Sequence, residues 1–249
     1  MTVVILTTET PHHAYFVREI ARAYPGARVL SERRRATFPF PTHHPYEGAR
    51  DAHECARWFG GAEPSVAEFA PTTSVESVND AEALAVLDAV RPDVVVSFGT
   101  GKIAAPTIAR CPTGFVNLHG GDPEQYRGLD THLWAIYHRD FIALIATLHR
   151  VNERFDDGTI IVQAAVPLRR GMPLHELRAA NAETCAALTL AALDRRARDG
   201  RFLDRPQRTR GRYYSAMPVV LKAVCIERFA QHTETLAEQE HRAPHVAVL

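Results

Sequence analysis

Asn117, His119 and the Asp156-Asp157 pair are the residues whose types and spacing best suit chemistry on a carbonyl group. They fall in Val116-Asn117-Leu118-His119-Gly120-Gly121-Asp122-Pro123-Glu124-Gln125-Tyr126-Arg127-Gly128 and in Arg154-Phe155-Asp156-Asp157-Gly158. If the first stretch ends a strand, side-chain alternation puts Asn117 and His119 on one face. An amide then serves an oxyanion, an imidazole carries a proton, and a carboxylate from the second turn orients the ring. The same residues have a plainer reading: Asn and His can satisfy turn backbone, and Asp-Asp-Gly is a common hairpin turn.

The elements that must position these residues follow an alternating grammar. Val3–Leu6 is an apolar, β-branched run of the kind buried on both faces of a parallel sheet. Thr10-Pro11 offers an N-cap and first turn, Phe16, Val17, Ile20 and Ala21 follow at helical spacing, and Ala27–Leu30 supplies the next strand. Asp80–Val90 predicts a helix, Val94–Phe98 a strand, Lys102–Arg110 a short helix and Phe115–Leu118 a strand. Leu144–Val151 and Thr159–Val166 are two more strands, and Pro173 opens a long helix closed near Gly200. This pattern predicts an α/β fold, a Rossmann-like open and mostly parallel sheet flanked by helices, with ligands at the carboxyl ends of its strands. Residues 1–200 form the main domain, with a long surface insertion at about 31–73 that is rich in Pro, His and Arg. Residues 201–249 form a short, partly helical C-terminal extension.

Composition narrows the partners. The 249 residues carry 29 Lys+Arg against 29 Asp+Glu, and zero net charge argues against a protein that grips nucleic acid through its phosphates. No apolar run approaches the ~18 residues of a membrane span, and Met1–Thr7 lacks the features of a signal peptide. Cys55, Cys111, Cys185 and Cys225 are scattered without CxxC spacing, as expected for free thiols in a reducing, cytoplasmic setting. His43, His44, His53 and Cys55 lie close together but match no standard zinc spacing, so no metal is expected. His12 and His13, at the start of the first helix, are expected to face solvent or substrate.

Taken in order, Asn117-x-His119, Tyr126-Arg127-Gly128, Thr147-x-His149 and Phe155-Asp156-Asp157-Gly158 resemble the formyltransferases that use 10-formyltetrahydrofolate, over about residues 1–200. That family includes the glycinamide ribonucleotide, methionyl-tRNA and nucleotide-sugar formyltransferases. The resemblance implies 10-formyltetrahydrofolate as co-substrate and no metal. It implies that Asn117 holds the formyl oxygen, His119 handles protons and Asp156 orients His119. It further implies that Phe98, Gly101, Lys102, Ile103 and Asp157 line a pterin pocket, and that Tyr126, Arg127 and Trp134 meet the substrate. A bare Gly-rich strand-to-helix turn is the plainer reading of Ser97–Ile103, which lacks both the dinucleotide fingerprint and a full P-loop. Where the family has His-Pro-Ser this chain has His119-Gly120-Gly121, and where it has Leu-Pro before Tyr this chain has Glu124-Gln125. The loop should therefore be more flexible or differently shaped.

The acceptor is narrowed by what the sequence lacks. The first β-α turn, Thr7-Thr8-Glu9-Thr10-Pro11, has no glycine and carries a carboxylate that repels phosphate, which disfavours glycinamide ribonucleotide. Only 49 residues follow Gly200, too few for the additional β-barrel of the tRNA enzymes. The remaining subclass acts on nucleotide-linked amino sugars. Trp134 and Tyr213-Tyr214 offer stacking surfaces, and Arg205, Arg208, Arg210 and Arg212 could meet a diphosphate. The plainer reading of that tail is a solvated, partly disordered extension. Other acceptors stay open: an amino-acid or hydroxylamine precursor of a natural product, or glycinamide ribonucleotide itself. So does a non-catalytic binding domain, although such a module has no need of Asn117, His119 and Asp156 together. The expected partner is a small-molecule amine, with no nucleic acid and no membrane. The apolar stretch Met217–Leu221 points to docking, either on the core or on a second subunit in a homodimer.

Overall fold

The computed structural model describes residues 1–237, so the last part of the 201–249 extension lies outside the described residues. The chain runs β1 (Val3–Thr7), α1 (Pro11–Ala23), β2 (Arg28–Glu32), α2 (Tyr46–Phe59), β3 (Thr72–Val75), α3 (Ala81–Val90), β4 (Val94–Ser97), α4 (Ala105–Ile108) and β5 (Phe115–His119). It continues with β6 (Tyr126–Gly128), α5 (Thr131–Tyr137), β7 (Ile145–Arg150), β8 (Ile160–Ala165), α6 (Leu177–Asp199), β9 (Arg212–Tyr214) and α7 (Val219–Glu234). Seven strands form one sheet in the order β3-β2-β1-β4-β5-β7-β8. The first five are parallel, while β7 and β8 pair antiparallel, so the sheet is mixed at one edge. None of the described helices is long and apolar enough to cross a membrane.

Local chemistry explains the boundaries. Thr10 caps α1, its hydroxyl accepting from the His13 N–H, with Pro11 at the first helical position. Asp80 caps α3 through the Ala83 N–H at 2.8 Å. Gly200 ends α6 in the left-handed conformation at φ 72°. All of β1 is buried, and alternation divides it between two layers. Val3 and Ile5 pack with Phe16, Val17 and Ile20 of α1 and with Leu188 and Leu193 of α6. Val4 and Leu6 pack on the opposite face with Ala83 and Leu87 of α3.

The insertion has structure that composition did not reveal, and the extension, expected to be partly helical, contains α7. The 31–73 segment holds α2 and a 3-10 turn at Val66–Glu68 closed by a Ser65/Glu68 capping box. Glu54 of α2 is fully buried and pairs with Arg178 of α6 at 2.7 Å. Removing either partner would strand a buried charge, so this pair fixes where α2 sits. The extension is not a solvated tail through residue 237. Met217 and Phe229 are fully buried in a third apolar cluster with Leu133 and Ile136 of α5. Burying Phe229 contributes about 1.5–3 kcal/mol by transfer alone. Met217–Leu221 thus docks on its own core, leaving Val220 exposed. Lys222 of α7 binds Glu47 of α2 at 2.5 Å, which joins the insertion to the extension. The four cysteines are free thiols.

Candidate functional site

Asn117 and His119 leave β5 on the same side, at the carboxyl end of the strand, and register adds a third residue that the sequence pattern contained but did not single out. Asn117 lies opposite His149 on β7, and His119 opposite Thr147. The Asn117 Nδ2 stands 3.1 Å from His149 Nε2. His149 donates from Nδ1 to the Arg150 carbonyl at 2.7 Å, so its Nε2 is the edge turned to Asn117. His119 donates from Nε2 to the Tyr126 carbonyl at 2.8 Å, which leaves Nδ1 toward the next loop.

That loop brings Asp156. Its Oδ1 lies 3.5 Å from His119 Nδ1 and 3.5 Å from His149 Nε2, and its Oδ2 accepts the Gly128 N–H at 2.8 Å. All three side chains are buried. Burial opposes ionisation of the Asp156 carboxyl, but the two imidazoles and the Gly128 amide outweigh it and hold the group well below the usual carboxylate range. The cluster therefore keeps a carboxylate at neutral pH, aimed at two histidines.

The turn is held in an unusual shape. Asp156 has φ 50°, a left-handed backbone that Asp tolerates better than most residues. Gly158 is required two residues on, because a Cβ there would fall 1.7 Å from the Arg150 carbonyl oxygen. Three of the turn's carbonyls are clamped by side chains. Arg127 donates through Nε to the Phe155 carbonyl at 3.0 Å, and a second guanidinium nitrogen reaches the same oxygen. Gln207 donates to the carbonyls of Asp156 and Gly158 at 2.8 and 2.9 Å. Nothing local to Gln207 in the sequence marks it; it arrives because residues 204–214 fold back. In that segment Arg205 pairs with Glu124 at 2.8 Å, Gly211 donates to the Pro123 carbonyl at 3.1 Å, and β9 pairs parallel with β6.

The His119-Gly120-Gly121 loop, expected to be more flexible or differently shaped, is tied down. Thr147 donates to the Gly121 carbonyl at 2.7 Å, and Thr131 donates to that of Gly120. A Cβ on Gly121 would sit 2.8 Å from His119 Nε2, so the second glycine lets the loop close over the ring. Asp122 anchors the far side, accepting from the Glu124 N–H at 3.0 Å and from the Gln163 amide at 3.2 Å.

The other sequence-marked residues fall into two groups. Tyr126 and Arg127 adjoin the cluster, but both are buried: Tyr126 donates its hydroxyl to Asp140 at 3.1 Å, and Arg127 serves the turn and lies 3.7 Å from Asp157. Trp134 stands one ring further out, stacked on Tyr214 at 5.0 Å, with its indole N–H on the Ser215 carbonyl. Across the sheet edge, Phe98 and Ile103 are also buried. Phe98 packs against His13 and Phe16, and Ile103 joins Leu6 and Phe115. Gly99, Gly101 and Lys102 of this loop are exposed, with the Gly101 N–H held by Glu32 at 2.7 Å and the Lys102 carbonyl by the Asn79 amide at 2.8 Å. His13, expected to face solvent or substrate, instead fills the space a Gly99 Cβ would need. It is only 4% exposed, and burial together with the Arg178 charge pulls its pKa down to about 3. The histidines of the insertion do not gather as a group; His53 instead meets His175 and Glu176, whose donor atoms lie within 4.8 Å of one another. Glu176 there already pairs with Arg169 at 2.5 Å.

Comparison with known proteins gives the family and the fold. The family profile described as Formyl transferase matches residues 3–192. A methionyl-tRNA formyltransferase from Synechococcus sp. (strain JA-3-3Ab) is 31% identical over 115 residues, 46% of this chain and 35% of the relative. The bifunctional polymyxin resistance protein ArnA of Wigglesworthia glossinidia brevipalpis is 28% identical over 99 residues, 39% of this chain and 15% of that protein. The chain thus spans about a third or less of the length of these curated relatives. Among solved structures, the N-formyltransferase from Helicobacter canadensis, in complex with folinic acid and dTDP-3-aminofucose, shares the fold at TM-score 0.59 and 14% identity, covering 86% of this chain and 71% of that one. The formyltransferase PseJ from Anoxybacillus kamchatkensis, in complex with a UDP-linked formamido sugar and tetrahydrofolate, does so at TM-score 0.54 and 18% identity, covering 86% of each chain.

Proposed function

The chain belongs to the formyl transferase family, and on that premise we propose that it moves the formyl group of 10-formyltetrahydrofolate to the primary amine of a nucleotide-linked amino sugar. The observation that carries this reading is the buried cluster in which Asp156 stands 3.5 Å from both His119 and His149, with the Asn117 amide alongside. The residues present suit a pterin: the exposed glycines Gly99 and Gly101 leave the backbone of this turn open to a flat ring, with the Gly101 N–H and the Lys102 carbonyl already fixed by Glu32 and Asn79.

The co-substrate supplies a formyl carbon already activated on an aromatic amine nitrogen. One N–H of the Asn117 amide is spent on His149 and the other is free to meet the oxygen as it becomes an oxyanion. His119 gives its Nε2 proton to the departing folate nitrogen and recovers one at the same nitrogen from the attacking amine, so a new C–N bond replaces the old one without net proton change. Asp156 holds the ring so that Nε2 is the working nitrogen, with the Tyr126 carbonyl as the resting partner of its proton. The amino-sugar acceptor is supported by the ligands named for the two structural relatives, and balanced charges of 29 and 29 speak against an acceptor as polyanionic as tRNA.

The test is isotope transfer from labelled 10-formyltetrahydrofolate to a panel of nucleotide-linked amino sugars, glycinamide ribonucleotide, amino acids and methionyl-tRNA. A sugar nucleotide should be formylated, and His119→Ala and Asp156→Asn should each lower turnover by about 10²–10⁴-fold. Near-normal turnover by the His119 variant, or transfer to none of the amines, would overturn the proposal.

A further inference from the structure

An open groove of about 420 Å³ lies outside the catalytic turn, between Asp157 and Thr159 on one side and residues 206–210 on the other. Its electrostatics are unbalanced. Asp157 has three guanidinium groups around one carboxylate: Arg210 at 3.1 Å, Arg127 at 3.7 Å and Arg154 at 3.7 Å. The Arg154 and Arg210 side chains are 69% and 60% exposed, and Arg208, whose backbone N–H binds Glu124, lines the same groove. One carboxylate cannot compensate three cations, so the wall presents surplus positive charge to solvent. The other acids nearby are engaged: Glu124 with Arg205, and Asp204 with Arg150.

Two exposed aromatic rings belong to the segments that form the groove: Phe155 precedes Asp157 by two residues, and Tyr213 follows Arg210 on β9. These are 41% and 52% exposed, with centroids 6.0 Å apart. Exposed rings beside exposed guanidinium groups suit a ligand with a flat aromatic part and adjacent negative charges.

We propose that this groove binds the nucleoside diphosphate part of the acceptor, with the phosphates on Arg208 and Arg210 and the base on Tyr213 and Phe155. The inference rests on the sugar-nucleotide reading above and assigns it a subsite. A folate tail also joins an aromatic ring to anions, but the backbone suited to the pterin follows β4, whereas the groove lies beside β8, beyond β5 and β7 in the sheet. Asp157, which the family resemblance implies at the pterin pocket, lines this groove. Arg205 and Trp134, also suited by type to a sugar nucleotide, take no part, because Glu124 and the Tyr214 ring occupy them.

The experiment is calorimetric titration of the full chain with UDP and with dTDP, in the absence of any folate. Binding is expected for at least one of them. The Arg208→Ala/Arg210→Ala double variant and Tyr213→Ala should each weaken it at least about tenfold, while Tyr213→Phe should keep it. These side chains are exposed, and equal melting temperatures would show that the fold is intact. Equal affinity in the variants, no binding of either nucleotide, or displacement of the nucleotide by 5-formyltetrahydrofolate would each overturn the assignment. Because no formyl transfer is read, failure here leaves the proposed reaction standing, and failure of the reaction leaves this measurement standing.

Discussion

Gln207→Ala is the sharpest perturbation of the site that touches none of the reacting groups. Its amide donates to the carbonyls of Asp156 and Gly158 at 2.8 and 2.9 Å, on a turn whose Asp156 already sits at φ 50°. Two neutral hydrogen bonds contribute about 1–3 kcal/mol, and water entering from the neighbouring groove recovers part of that, leaving about 1–2 kcal/mol. For a chain of this size the melting temperature should fall by about 2–8 °C. A turn relaxed by even a fraction of an ångström moves Asp156 off His119, and such misplacement costs about 10–100-fold in turnover. Gln207→Glu should be worse than Gln207→Ala, because a carboxylate facing two carbonyls repels where an amide donates. Calorimetric melting and single-turnover formyl transfer on the three proteins measure both effects. If Gln207→Ala keeps the wild-type melting temperature and turnover within about twofold, Arg127 alone holds the turn and the reasoning is wrong.

Two further expectations concern stability. His13 is buried and neutral with its pKa near 3, below the ~6.5 of the unfolded chain. The unfolded state therefore binds a proton first as pH falls, so stability is full above about 6.5 and declines toward 3, by about 2 kcal/mol at pH 5. His12, held low by burial and by His13, acts in the same direction, whereas the Asp156 carboxylate loses its contribution only below about pH 4. Urea unfolding at pH 7 and pH 5 should show this loss, and His13→Asn should reduce it; an unchanged slope would contradict the burial argument. Gly158→Ala should cost about 3 kcal/mol or more, since the added Cβ meets the Arg150 backbone of β7, which its pairing with β5 holds in place. Gly26→Ala, where nothing lies within 4 Å, is the matching control.

The sequence by itself determined the local side of this protein. Apolar runs such as Val3–Leu6 must be buried on both faces, Thr10 and Asp80 must cap helices, and the i, i+2 spacing of Asn117 and His119 puts them together on any strand. Those are short-range constraints, written in neighbouring residues, and the order of Asn117, His119 and Asp156 carried the family with them. Tertiary structure decided what depends on residues far apart in the chain. His149 joins the cluster through the antiparallel register of β7 on β5, while Gln207 reaches the Asp156 turn from about 50 residues downstream. Packing also gives partners that residue type does not foretell to residues suited to substrate by chemistry: Arg127 holds the turn and Trp134 stacks on Tyr214. Of the arginine-rich tail, Arg205 is neutralised by Glu124 and Arg208 and Arg210 stay at the groove, a division that no spacing rule contains. A charge is available to a ligand only if its own fold leaves it without sufficient countercharge, and that balance is settled by packing in three dimensions.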